Sequence, residues 1–323
     1  MSYSHISRRQ RQELALLLRM QKNQTEIAQL IGVHKSTVSR ELKRNRAQTA
    51  TGYSVQRAEK LTCQRHATAN QRFRKLGTDP ALTALVESKL KLYWAPEQVA
   101  GRLKGEYGRA VTSHPAVYRW VYAHPGLHQY LRFKMSKYRR TRAAKARLQK
   151  RAALSPKRDI ATRPQGAKWR TRLGHWEGDT VMGTDRKARI LTHVDRRSGY
   201  LLASLVESGE AAPTRAGAEA QFARIPAYKK HTLTLDNGFE HAEWELTEKN
   251  TGLTVYFAKP YHSWERGTNE NANGLLRQFF PKGSSFATLK PKQLSKATAM
   301  LNHRPGRRYG YLTPHEVFHG VAL

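Results

Sequence analysis

Thr232-Leu233-Thr234-Leu235 alternates polar and apolar side chains as a half-buried strand does, and Asp236-Asn237-Gly238 breaks the alternation. A chain written this way leaves a carboxylate at the exposed end of a strand. Leu253 to Ala258 reads as a second strand, closed by Pro260. From about Ser263 the spacing turns helical, with Leu275 and Leu276 set to share a face with Phe279 and Phe280. Glu270 falls early in that helix, and Asn273, Gly274 and Arg277 follow on its face at i+3, i+4 and i+7. An acid at a strand end and an acid on a following helix can converge on a divalent metal. Two ordinary surface acids are the plain alternative, and their setting among Asn, Gly, Trp and Arg weighs against it.

Acids are scarce throughout. Lys and Arg number 58 against 24 Asp and Glu, a formal net charge of +34, which points to a polyanionic partner and most economically to nucleic acid. A membrane surface is the rival, but no apolar run reaches the length of a spanning helix and no signal peptide is evident. One cysteine, Cys63, excludes an intramolecular disulfide and any multi-cysteine zinc site, which fits a reducing, cytoplasmic setting. The fourteen histidines show no ligand spacing, so none is assigned to a metal.

Ser7 to Gln21 places Leu14, Leu17 and Leu18 on one helical face; Asn23 and Gln24 break it, with Thr25 as the expected cap of the next helix. Ile27, Ala28 and Ile31 then form a short apolar face, Gly32 supplies a tight turn, Val33 plugs it, and Val38 with Leu42 anchors a further helix. This is a helix-turn-helix pattern. Its second helix leaves Lys35, Ser36, Thr37, Ser39, Arg40 and Lys43 to face a major groove, a basic and hydroxyl-rich set that a generic helical hairpin does not need.

Asp79 to Tyr93 is amphipathic, Pro96 stands at a helix start, and Ser113 precedes a helix carrying Val117, Trp120 and Val121. This reads as a second helix-turn-helix, with a purely structural hairpin as the alternative. From Tyr107 to Arg158 there is no Asp or Glu, and the run includes Arg139, Arg140 and Arg142, whose expected partner is the phosphate backbone. The expected organisation is a helix-turn-helix domain over residues 1–50, a second helical domain over 51–130, a basic linker over 131–168 and an α/β domain over 169–323.

In that last segment GHWEGDTVMG, KARILTHV and YLLASLV read as three strands, the latter two joined by a DRRSG turn. Pro213 to Ile225 reads as a helix, before the strand ending at Asp236. The order is three strands, helix, strand, helix, strand, helix. Spacing alone does not separate Asp179 from Glu177, nor Glu270 from Glu265, and Asp195 and Glu240 remain further candidates.

The chain resembles the bacterial transposases of the insertion sequence thirty family. The resemblance runs nearly end to end, through STVSRELKRN, APEQVAGRL, VYRWVY, HWEGDTVMG, TLDNG, LNHRPGRRYGYLTPHEVF and, most specifically, PYHSWERGTNENANGLLRQFFPKG. It implies an α+β multidomain protein, with amino-terminal helix-turn-helix DNA-binding domains followed by a ribonuclease-H-like catalytic domain with a mixed sheet. By motif match it also implies a DDE triad of Asp179, Asp236 and Glu270, acting as metal ligands for two Mg²⁺ ions, with Mn²⁺ able to substitute. Such a pair activates an attacking oxygen and stabilises a leaving one in phosphodiester displacement. The implied partners are double-stranded DNA, as element ends and target, and a second copy of the chain, in the bacterial nucleoid. Trp264, Arg266, Asn269, Asn273 and Arg277 are the expected DNA-positioning groups around the metals. A helix-turn-helix repressor with an inert remnant domain, and a nuclease that cuts without joining, are the rival readings.

Overall fold

The computed structural model describes residues 6–47, 52–69, 75–132, 157–185, 187–259 and 262–321, apart from the side chains of Ala67, Ser263 and Trp264. Arg139, Arg140, Arg142 and the Trp264 side chain therefore lie outside the described residues. The chain divides into two compact units, Met1–Pro80 and Ala81–Leu323. The helical segment after Ala81 belongs with the sheet that follows it.

The first unit contains helices Arg8–Arg19, Gln24–Leu30, Lys35–Arg44 and Val55–Ala69. Leu14, Ile27, Ala28, Ile31 and Val38 meet Tyr53 and Ala58 in its core. The cap of the second helix is Asn23 rather than the expected Thr25. The Asn23 side chain accepts from Thr25 N–H and Glu26 N–H, and the Asn23 N–H in turn donates to Glu26 Oε2. A side-chain carbonyl at that position satisfies two otherwise unpaired amides, so the helix begins earlier. Gly32 turns the chain at φ +68°, a conformation costly for residues with a Cβ. The next helix starts at Lys35 as expected, and its inward Glu41 is held by Arg11 at 2.7 Å and by the Tyr53 hydroxyl at 3.1 Å.

The second unit opens with helices Pro80–Lys91, Pro96–Glu106 and His114–Ala123, close to the sequence expectation. Trp120 Nε1 donates to Glu87 at 3.0 Å. One face of helix Pro96–Glu106 is committed to the rest of the unit. Arg102 donates two bonds, 2.8 and 2.7 Å, to the Glu316 carboxylate, and Arg304 Nε donates to Gln98 Oε1 at 2.8 Å.

Five strands follow: β1 His175–Met182, β2 Arg189–Asp195, β3 Leu201–Val206, β4 Thr232–Leu235 and β5 Thr254–Phe257. Their order is β3-β2-β1-β4-β5, antiparallel from β3 to β1 and parallel from β1 to β5. This mixed sheet with helices on both faces is the ribonuclease-H-like arrangement. Trp176, Leu191, Leu233 and Val255 point to one face, against Phe222, Trp244 and Phe318. Val181, Ile190 and Val194 point to the other, against Ala272 and Leu276 of helix Gly267–Leu276 and Leu294 and Leu301 of helix Pro291–Asn302. Each fully buried aliphatic or aromatic side chain of this kind contributes about 1.5–3 kcal/mol. The two-residue period of a strand sends Glu177, Asp179 and Val181 to the second face, directly under helix Gly267–Leu276.

Candidate active site

β1 and β4 run parallel with Glu177 opposite Thr234. Two residues further along both strands, that register brings Asp179 level with Asp236. Neighbouring strands lie about 4.8 Å apart, so the two carboxylates share one edge of the sheet. The Arg266 guanidinium lies between them, 3.0 Å from Asp236 Oδ2 and 3.6 Å from Asp179 Oδ1, and it also donates to the Gly178 carbonyl at 3.0 Å. A cation therefore already bridges this acid pair, which is a direct sign that the donor set suits positive charge.

Asp179 is fixed at both oxygens. Thr180 N–H donates to Oδ1 at 3.0 Å and Asn273 Nδ2 donates to Oδ2 at 2.9 Å. Asn273 Oδ1 in turn accepts from the Thr192 hydroxyl at 3.0 Å. Glu270 stands one helical turn before Asn273, is exposed, and lines the cleft beside the helix together with Asn273 and Thr180, with no direct contact to either aspartate among the described residues.

The two aspartates differ electrostatically. Burial raises the Asp179 pKa, with Arg266 opposing and Asp236 adding to the rise. At Asp236 burial acts upward too, but His241, Arg266 and the Gly238 N–H outweigh it and leave the pKa below its ordinary value. Acids whose surroundings push them apart in this way are a feature of functional sites.

The alternatives left open by spacing separate once partners are visible. Glu177 is fully buried, paired with Arg196 from the β2–β3 turn, and accepts Asn269 N–H at 2.9 Å. It holds the helix to the sheet. Asp195 is fully buried and accepts from Gly174 N–H, Ser198 N–H and the Ser198 hydroxyl, which closes the turn. Glu265 accepts Lys259 N–H at 2.9 Å. Glu240 accepts the Thr180 hydroxyl at 3.0 Å and stands beside the aspartates.

One of the expected DNA-positioning groups is placed differently. Asn269 has no exposed surface. Its side chain is spent on the Glu177 carbonyl and the Thr192 hydroxyl, so it frames the site and does not face DNA. Arg304, at 6% exposure, is buried on Gln98 and Gln278. Arg277 donates to the Met182 carbonyl at 2.7 Å and lies over the Phe286 ring, and burial lowers its pKa. Arg132, Glu270, Asn271, Asn273, Arg277 and Lys282 line an open cleft beside the helix, broad enough for an extended ligand. In the first unit Lys35, Ser39, Arg40 and Lys43 are exposed. Ser36 and Thr37 are half-buried, and Ser36 Oγ lies 2.8 Å from His34 Nδ1.

His241 was passed over in the sequence. It is 5% exposed, and its Nε2 lies 3.5 Å from Asp236 Oδ1. Burial lowers its pKa, against the pull of Asp236 and Glu240. The signal was its position five residues after Asp236 in a short turn, Phe239–His241, which folds it back under that carboxylate.

A helix-turn-helix domain family matches residues 2–45. The transposase for insertion sequence element IS4351 of Bacteroides fragilis is 37% identical over 318 residues, covering 97% of this chain and 95% of that protein. Transposase InsI for insertion sequence element IS30A of Escherichia coli (strain K12) is 31% identical over 339 residues, covering 99% of this chain and 85% of that protein. Among solved structures, the catalytic core domain of BIV integrase is 23% identical over 46% of this chain and 94% of that chain, with a TM-score of 0.37, too low to bear on the fold. Identity at these levels along almost the whole length, through both the helix-turn-helix and the sheet domain, has one consequence: the chain belongs to the insertion sequence thirty family of transposases.

Proposed function

We propose that this chain is a DNA transposase that binds the terminal inverted repeats of its element, then cuts DNA strands and joins them to target DNA. The catalytic centre is Asp179, Asp236 and Glu270, holding divalent metal. The observation that carries the reading is Arg266, a cation seated between two carboxylates that strand register sets side by side. The residues present fit Mg²⁺, which binds through a few carboxylates and keeps waters for substrate phosphates to replace. When bound, a metal pair would activate the attacking oxygen and stabilise the leaving one, with Mn²⁺ able to substitute.

The chain's own groups prepare the site. Asn273 and the Thr180 N–H hold the Asp179 carboxylate in one orientation before any ligand arrives. Asn269 and Glu177 fix the start of the Glu270 helix against β1. Arg266 and Arg277, with Trp264 and Asn273, border the centre where the DNA backbone passes. Lys35, Ser36, Thr37, Ser39, Arg40 and Lys43 read element ends, and Arg139, Arg140 and Arg142 contact phosphates. Joining two ends calls for two copies of the chain.

The test is incubation with DNA bearing the element's own ends, with and without Mg²⁺, followed by sequencing of junctions. Glu270→Gln, Asp179→Asn and Asp236→Asn should fold and bind ends as the parent does, yet neither cleave nor join. Partial rescue of the aspartate variants by Mn²⁺ supports direct coordination. Binding without nicking by the parent would favour a repressor, and cleavage without junctions a nuclease. Parental joining by Glu270→Gln sinks the assignment.

A further inference from the structure

Beside the centre lies a donor set that differs from three carboxylates. Among the described residues, Asp236, Glu240 and His241 each offer a ligating atom, all within 4.8 Å of one another. Gly238 makes the approach possible. A Cβ there would run into Glu240 Oε2 and sit 2.9 Å from Asp236 Oδ1, so the glycine lets two like-charged carboxylates crowd one spot. Crowding of that kind is unfavourable unless cations relieve it. Arg266, 3.0 Å from Asp236 Oδ2, and Arg189, 3.6 Å from Glu240 Oε1, do so from the outer side of each carboxylate. Glu240 is held in place through Oε1 by the Thr180 hydroxyl.

His241 supplies the second observation. Its ring is buried, with 4% of the side chain exposed, and Nε2 has no hydrogen-bond partner. A buried ring nitrogen left unsatisfied is costly and calls for a partner such as a bound water or ion. It lies 3.5 Å from Asp236 Oδ1. Two ligands each about 2.0–2.1 Å from one tetrahedral ion stand about 3.3–3.4 Å apart, so the observed spacing needs only a small adjustment to accept a metal.

We propose that Asp236, Glu240 and His241 form a site for a divalent transition-metal ion, with His241 Nε2 as a nitrogen ligand. The inference rests on the reading of Asp236 as a metal ligand. It goes beyond that reading in giving one metal position a mixed oxygen and nitrogen set. Imidazole suits Zn²⁺, Fe²⁺ or Ni²⁺ best and also ligates Mn²⁺, whereas Mg²⁺ favours oxygen alone, so this position favours transition-metal ions over Mg²⁺.

The experiment uses the full chain loaded with Mn²⁺ alone and pulsed electron paramagnetic resonance, which detects a nitrogen bound to the ion. The parent should show imidazole-nitrogen coupling, and His241→Phe should lose it. Calorimetry should show Mn²⁺ affinity falling about tenfold or more in His241→Phe, while Mg²⁺ affinity changes by no more than about twofold. Glu240→Gln, which keeps the shape, should weaken Mn²⁺ binding and keep the nitrogen coupling, so the proposal stays testable if His241→Phe does not fold. Absence of coupling in the parent, or coupling that survives His241→Phe, overturns the proposal and leaves His241 as a simple partner of Asp236. The wider reading fails separately, if Asp236→Asn still cleaves and joins DNA.

Discussion

Glu177→Gln tests the division of labour between the two acids of β1. Glu177 has no exposed surface, its Arg196 partner keeps 6% of its side chain exposed, and Asn269 N–H donates to the second carboxylate oxygen. Glutamine has one acceptor oxygen where two donors need one each, and its NH₂ would face Arg196 or the Asn269 amide donor to donor. Removing one partner of a buried ion pair costs about 3–5 kcal/mol, because the other charge stays buried without compensation. At about 2–4 °C per kcal/mol for a unit of this size, the melting temperature should fall by roughly 6–20 °C. Near-ultraviolet circular dichroism on the full chain reads this directly. The loss should shrink when Arg196→Met is added, since a buried pair replaced by apolar groups is often tolerated. By contrast, Glu270→Gln should melt with the parent, because Glu270 is exposed. A Glu177→Gln melting point within about 2 °C of the parent, equivalent to under about 1 kcal/mol, would refute the structural role. So would strictly additive losses in the double variant.

Glu316 offers a pH-dependent test. Its bond to Arg102, helped by the Thr313 N–H and opposed by burial, lowers its pKa from 4.5 to about 2. A depressed folded-state value means the contribution is full above 4.5 and is lost as pH falls towards 2. At about 1.4 kcal/mol per unit, the upper bound is about 3 kcal/mol, reduced by screening at a side chain 16% exposed. Melts of the parent and Glu316→Gln should differ at pH 7 and converge near pH 2; a gap that ignores pH would remove the clasp from the account. For Arg40, exposed on helix Lys35–Arg44, Arg40→Ala should cost about 1–3 kcal/mol of discrimination between element ends and random DNA in gel-shift titrations. Equal losses on both DNAs would make it a phosphate contact.

The order of strands and helices was legible because both periods are written locally. TLTL alternates over four residues and is β4, although all four side chains are buried rather than every second one, because helices cover both faces of the sheet there. Gly32 marks the turn before the helix that starts at Lys35. Motif resemblance named Asp179, Asp236 and Glu270, and two of these meet by strand register. Other features were out of reach of any local pattern. Glu177 and Asp179 share one strand face, and a two-residue period cannot rank them. The difference is Arg196, which arrives from the β2–β3 turn and neutralises only one. Asn269 looks like any polar residue on an exposed helix face until β1 and Thr192 close over it. His241 carries no ligand spacing, yet a single short turn delivers its unpartnered nitrogen to Asp236. Hydrophobic spacing is a property of neighbours in sequence and dictates the elements. Which acid is paired, which amide is buried and which nitrogen is left without a partner depend on groups brought from elsewhere in the chain, and only the packed sheet and helices decide them.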